Sequence, residues 1–357
     1  MNINTARLAL TFAGCFLGAG YVSGRELWQF FGNFGIFGIV GLVLSMTFIF
    51  VFGVLLMRLA SMSKIIECDK LIIRADNKFL RTFIGIAETF FLVGIAVIMI
   101  AGVGALFRQT AGISEYLSCG IFSVLLFFLA LGGHERMINV FSLTVPVLVF
   151  FTVLVGIVTV AKFGFPDFSV VSINAESEKN PLLSSWWVSS ITYVCYNLFS
   201  SVQILAPVGA MVNSKKRLYF GVFFGSLALF LIAGCIFVSM SSVPFAYEAQ
   251  LPMLFAASSI SKLLGIIYSV LLFFGMLGTA LSSLVAVIHF VISKTGKQSL
   301  KLPGTAVLCI IMFFASLVGF GDLIGTVYPI CGYLGVFALL SICEHYFYFR
   351  KNGDKKS

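Results

Sequence analysis

Gly14-Cys15-Phe16-Leu17-Gly18-Ala19-Gly20-Tyr21-Val22-Ser23-Gly24-Arg25-Glu26-Leu27-Trp28-Gln29 is an apolar helix interrupted near its middle by glycines, a serine and two charges. One reading is a packing stripe, because small residues let membrane helices approach closely and Gly20-x-x-x-Gly24 has the dimer-motif spacing. That reading leaves Arg25 and Glu26 unexplained, since charge at depth is costly and normally faces a cavity or pathway. A discontinuous helix explains them. Unwinding at Gly18–Gly20 would free amide N–H groups at the start of a second half-helix to hold a carboxylate, and carbonyls at the end of the first half to hold a cation. Both jobs suit a zwitterionic substrate.

The rest of the chain makes this helix one of many. Its 357 residues are 60% apolar and 10% charged, with a mean hydropathy of +1.07. Soluble proteins carry about 25% charged residues, so this chain cannot cover its surface with solvated groups and must face lipid. At about 20 apolar residues per crossing, the length admits roughly ten helices and no sizeable soluble domain. The expected fold is all-α and integral to the membrane, one domain over residues 1–357, with spans at about 7–31, 36–60, 82–107, 116–133, 138–162, 184–211, 218–240, 257–292, 303–320 and 323–349. The eight Cys include no CxxC pair and lie mostly in apolar runs, so they are expected to be reduced.

The net charge of +9 does not indicate a nucleic-acid partner, because its Lys and Arg sit in short loops rather than on one basic face. With an even number of spans both termini share one side. The loops on that side carry Arg58, Lys64, Lys70, Arg74, Lys78 and Arg81, then Arg136, then Lys215, Lys216 and Arg217, then Lys294, Lys297 and Lys301. Opposite loops hold Arg108, Lys162 and Lys179 beside Glu115, Asp167, Glu176, Glu178 and Glu248. The positive-inside rule then puts both ends in the cytoplasm of a bacterial inner-membrane protein. Phe12-Ala13-Gly14-Cys15 faintly matches a lipoprotein processing box, but the apolar stretch before Cys15 is too short for a signal h-region, and the first span is expected to remain attached.

Leu143-Thr144-Val145-Pro146-Val147 in span five has a counterpart in Thr326-Val327-Tyr328-Pro329-Ile330 in span ten. A five-plus-five duplication, with repeats at about 7–162 and 184–349, would be inverted, as in many secondary transporters. Chance is the competing account, because membrane helices tolerate Pro. Span six is interrupted by Asn197, Ser200, Ser201 and Gln203, either a second break lining a cavity or polar groups satisfied within the helix and by its neighbours. In span eight, Thr279, Ser282 and Ser283 fall at i, i+3 and i+4, presenting oxygens on one face. Such ligands suit a hard monovalent cation; no His, Cys or carboxylate cluster suits a transition metal.

Gly18-Ala19-Gly20-Tyr21-Val22-Ser23-Gly24-Arg25-Glu26, followed by Trp28-Gln29-Phe30-Phe31-Gly32, resembles the start of the YkvI-like bacterial membrane proteins, permeases of the amino acid–polyamine–cation superfamily. The resemblance implies the LeuT-type fold: two inverted five-helix repeats with broken first and sixth helices and substrate between them. It implies substrate contacts at Leu17, Gly18, Ala19, Gly20, Tyr21 and Ser23 in span one, and at Tyr196, Asn197, Phe199, Ser200, Ser201 and Gln203 in span six. It also implies a sodium site at the carbonyls of Gly14 and Leu17 and the oxygens of Thr279, Ser282 and Ser283. A second sodium is not expected, as Tyr21 stands where an Asn would be. Proton-coupled relatives carry a Lys inside the fifth helix, whereas here Lys162 lies at its outer end.

Arg25 could pair with Asp322 as an outer gate, or simply reach the interface. Glu88, His289 and His345 read as structural residues near the cytoplasmic side. No HExxH, Walker loop or nucleophile elbow suggests an enzyme. The expectation is a secondary transporter of amino acids or related zwitterions and amines, driven by sodium, without other cofactors. The alternatives are proton coupling and a non-transporting receptor on the same scaffold. Substrate identity and oligomeric state are not legible.

Overall fold

The computed structural model describes residues 4–74, 77–131, 135–166 and 180–353. Asp167, Glu176, Glu178 and Lys179, used above to orient loops, lie outside them. Asn4 starts α1 (Thr5–Phe16), its Oδ1 accepting from the Arg7 amide at 2.8 Å. There follow α2 (Ala19–Ser23), α3 (Arg25–Phe31), α4 (Ile36–Ser63), α5 (Cys68–Ile72), α6 (Lys78–Ala111), α7 (Glu115–Leu131) and α8 (Glu135–Phe163). The second half comprises α9 (Trp186–Met211), α10 (Lys215–Ser242), α11 (Pro252–Ile260), α12 (Lys262–Thr295), α13 (Lys301–Ser316) and α14 (Phe320–Gly353).

Among the described residues, eight helices are long and apolar enough to cross a membrane. The 17 residues of α7 reach about 26 Å, and α1 to α3 together make one interrupted crossing. The chain is therefore a multi-pass membrane protein with ten crossings among the described residues, and both ends lie on one face, hereafter the terminal face. Packing repeats with an offset of five spans. The contact of α1 with α10 is answered by that of α9 with α4; α8 on α10 by α14 on α4; α8 on α12 by α14 on α6. At the centre, α6 lies along α12, and α7 meets α13 at the edge. In its most apolar stretch α6 is 67% buried and α13 only 22%, so α6 is core and α13 faces lipid.

Two expectations change. Span six is one continuous helix, not two halves. No glycine precedes Gly209 in α9, so the backbone has no easy place to unwind. Three of its polar side chains bond within their own helix: Asn197 Nδ2 donates to the Tyr193 carbonyl at 3.0 Å, Ser200 to that of Asn197 at 2.8 Å and Ser201 to that of Leu198 at 3.0 Å. Span eight starts at Lys262 rather than near 257. Ser261 is extended (φ −158°, ψ 138°) between α11 and α12, and Lys162 Nζ donates to the carbonyls of Ser259 and Ile260 at 2.9 and 3.2 Å, capping the end of α11.

Candidate functional site

The break in span one comes at Leu17 and Gly18. The Gly18 amide turns back to the Phe16 carbonyl at 2.9 Å rather than to that of Gly14, which thereby loses its helical donor. The Leu17 amide still reaches the Ala13 carbonyl at 3.2 Å, ending α1. A second break follows at Gly24, where φ is +84° and a Cβ would stand 2.6 Å from Met240 Sδ, so only glycine fits. The short helix α2 between the breaks is held from outside. Tyr21 donates to the Leu229 carbonyl at 2.8 Å, Tyr268 donates to that of Val22 at 2.6 Å, and Ser23 Oγ closes on the Gly20 carbonyl at 2.8 Å.

These breaks set Glu26 of α3 inside the bundle, where it is 4% exposed. Its Oε1 accepts from the Tyr196 hydroxyl of α9, and Tyr193 stands beside the same carboxylate. Its Oε2 lies over Gly20: a Cβ there would sit 2.9 Å from Oε2 and 3.3 Å from the Tyr328 hydroxyl. The rings of Tyr196 and Tyr328 stack at 4.8 Å and 14°, and Phe91 of α6 meets both edge-on at 6.4 and 6.3 Å.

Below this cluster is a cavity of about 270 Å³ between span one, α6, α9, α12 and α14. Of the expected site residues, it is lined by Gly18, Tyr196, Asn197, Ser200, Gln203, Thr279, Ser282 and Ser283. The structure turns others elsewhere. Tyr21 faces α10 because its hydroxyl satisfies the Leu229 carbonyl, Ser23 is spent on its own turn, and Phe199 packs on Phe91 at 6.2 Å. Ser201 is buried within α9. Gly14, Leu17 and Gly20 belong to the broken segment without lining the cavity, and Ala19 is the first residue of α2, its side chain lying outside the described ones. Thr279 Oγ1 and Ser282 Oγ donate to the carbonyls of Gly275 and Thr279, both at 3.0 Å, which leaves the acceptor capacity of the hydroxyl oxygens unspent by these bonds.

Exposure gives the cavity a direction. Glu26, Tyr196 and Tyr328 at its deep end are nearly inaccessible, whereas Ser282 is exposed and Ile204 is 49% exposed. Because α9 and α12 run from the far face to the terminal face, the mouth opens toward the terminal face. The far side is plugged. Trp28 stacks on Tyr247 at 4.9 Å, and Arg25 Nη1 donates to the Tyr247 carbonyl at 3.0 Å. The Gly321 amide donates to Gln250 Oε1 at 3.0 Å, and Gln109 exchanges two hydrogen bonds of 3.2 Å with the Leu251 backbone. The Arg25 guanidinium lies against Gly321, next to Asp322.

Near the terminal face, Glu88 of α6 is 8% exposed, beside Gln203 and Cys68, with Oε1 unpaired. His345 Nδ1 stands 2.8 Å from the Leu71 carbonyl and ties α14 to α5. The sequence marked Glu26 as a charge that should face a cavity without making it a substrate contact, and it did not assign Phe91 or Tyr328 to the site wall. Tyr328 carried a signal, lying in the proline-containing repeat echo; Phe91 had none, being one of 40 Phe.

No family profile matches the chain. The Bacillus subtilis membrane protein YkvI, itself uncharacterized, is 26% identical over 336 residues, 93% of each chain. The uncharacterized protein YyaD of the same organism is 25% identical over 348 residues, 93% of this chain and 94% of its own. Among solved structures, the chain is similar to the manganese transporter of Eremococcus coleocola (TM-score 0.60, 12% identity, 94% of this chain and 75% of that one). It is equally similar to the inward-facing conformation of Mhp1 (TM-score 0.59, 13% identity, 95% and 75%). The likeness to the solved structures shows the fold, which is of the LeuT type; the resemblance to YkvI runs along nearly the whole length.

Proposed function

We propose that this chain is a secondary active transporter of small zwitterions or amines such as amino acids, working by alternating access and coupled to sodium. The observation that carries this reading is a cavity at the broken first span, plugged toward one face and open to the other, as one state of an alternating-access cycle requires. The open face is read as cytoplasmic from the lysine and arginine distribution. Sodium is assigned to the carbonyls of Gly14 and Leu17 with the oxygens of Thr279, Ser282 and Ser283. Support comes from the carbonyl released at Gly14 and from Thr279, proposed to offer its carbonyl, and Ser282 and Ser283, proposed to offer their hydroxyls, which line the same cavity as Gly18. Arg25 and Asp322 belong to the far-side gate, which opens in the opposite state. Sodium that favours one state and so raises substrate affinity must itself be bound more tightly by the same factor when substrate is present.

Proton coupling is the second reading, favoured by the buried, half-unpaired carboxyl of Glu88. Uptake of a mixed radiolabelled pool of amino acids and amines into proteoliposomes tests both. Accumulation above equilibrium that requires inward sodium supports sodium symport. Accumulation driven by an acid-outside gradient without sodium moves the coupling to protons, and folded protein that gives no flux in either gradient refutes transport of these compounds.

A further inference from the structure

We infer that Glu26, set among the rings of Tyr196, Tyr328 and Phe91, is the seat of a substrate ammonium group, and that this group, not a carboxylate, decides what the cavity admits. The inference rests on the transporter reading for the cavity's role but concerns only what binds there. Glu26 is the one charged residue on the cavity wall among the described residues. A carboxylate that is 96% withdrawn from solvent requires a partner. Its partner on one side is Tyr196, whose hydroxyl fixes Oε1. Oε2 lies over Gly20, where the missing Cβ leaves it room.

The surrounding chemistry selects a cation twice over. Phe91, Tyr196 and Tyr328 line the same cavity, and an ammonium that reaches an aromatic face there gains a cation–π attraction that an anion does not. The neighbouring Arg25 donates to the Tyr247 carbonyl on the plugged side and is not among the residues that line the cavity. A ligand carboxylate at the deep end would thus meet Glu26 with no cation beside it, and α2, five residues long, is too short to hold an anion there by its dipole. At about 270 Å³ the cavity falls just below the roughly 300–1,000 Å³ of drug-sized ligand sites. It therefore suits a compact amine or amino acid rather than a peptide. The ammonium could belong to either, and the test separates them.

The experiment is titration calorimetry on the purified full chain in potassium buffer with and without sodium. The probes are matched sets: alkyl and arylalkyl amines of increasing length, the amino acids that carry the same side groups, and the corresponding carboxylic acids without nitrogen. Amines and amino acids are expected to bind and the acids to fail. Amines that bind as tightly as their amino-acid partners assign the site to amines; binding of amino acids alone assigns it to zwitterions held by their ammonium. Glu26→Gln is expected to weaken binding by roughly 10- to 150-fold, the worth of a hydrogen bond to a charged group. Tyr328→Leu, which leaves the carboxylate in place, is expected to weaken it by a few-fold. Acids that bind as well as amines, no binding by any ammonium compound, or unchanged affinity in a folded Glu26→Gln variant would each overturn the inference. Should that variant not fold, the wild-type series and Tyr328→Leu decide. Binding without flux in either a sodium or a proton gradient would sink the transporter reading alone, and full uptake in Glu26→Gln would sink this inference alone.

Discussion

Gly18 and Gly20 are two residues apart in the same interrupted segment, yet the structure assigns opposite consequences to an added methyl group. At Gly18 the backbone is extended (φ −77°, ψ 167°), which alanine adopts freely, and a Cβ would meet nothing within 4 Å. Gly18→Ala should therefore leave stability unchanged or raise it by about 0.4–1 kcal/mol, through the reduced freedom of the unfolded chain. At Gly20 the methyl would stand 2.9 Å from Glu26 Oε2 and 3.3 Å from the Tyr328 hydroxyl. The carboxylate cannot simply swing aside, because its other oxygen is held by Tyr196. Overpacking of this kind costs about 1–3 kcal/mol. Thermal unfolding of the purified variants, followed by tryptophan or thiol-dye fluorescence, reads the difference: Gly20→Ala should melt several degrees lower and Gly18→Ala at or above the wild-type temperature. Ligand affinity adds a second axis, since the Gly18 methyl projects into the cavity and can reduce affinity without loss of stability. Equal destabilisation by both substitutions, or a Gly20→Ala protein as stable as wild type, would refute the placement of Glu26 against span one.

Other perturbations probe separate parts of the design. The double substitution Ser282→Ala with Ser283→Ala should raise the sodium concentration for half-maximal uptake while leaving the protein folded; unchanged sodium activation in proteoliposomes would exclude this face of α12 as the ion site. Gly24→Ala combines a positive φ with a Cβ only 2.6 Å from Met240 Sδ. It should cost about 2 kcal/mol or more in stability, visible as a lower melting temperature and reduced yield of monodisperse protein. Tyr268→Phe removes the donor to the Val22 carbonyl and the contact with Thr152 Oγ1 at 3.0 Å. A loss of about 1–3 kcal/mol is expected, and a melting temperature equal to wild type would show that α2 is held by other means.

Much of this architecture follows from local sequence. Long apolar runs separated by charged loops define the crossings, because each apolar residue must avoid water whatever its neighbours are. The break in span one was equally readable, since Gly18, Gly20 and Gly24 lower the cost of unwinding and Arg25 with Glu26 supplies a reason for it. Tertiary structure decided what those features do. Spans six and one both hold polar residues at mid-depth. Only span one has glycines at mid-depth to release its backbone, whereas Asn197, Ser200 and Ser201 of α9 bond to their own helix. Whether a polar side chain will bond to its own backbone or line a cavity depends on what packs beside it. The same holds for Tyr21, placed by the Leu229 carbonyl 208 residues away, and for Glu26, met by Tyr196 at a separation of 170. In a membrane protein the lipid-facing and core-facing sides of a helix are both apolar, so hydropathy shows where a helix crosses but not which way it faces. Phe91 and Tyr328 therefore looked like any other aromatic residues until the packing of α6, α9 and α14 brought their rings around one carboxylate.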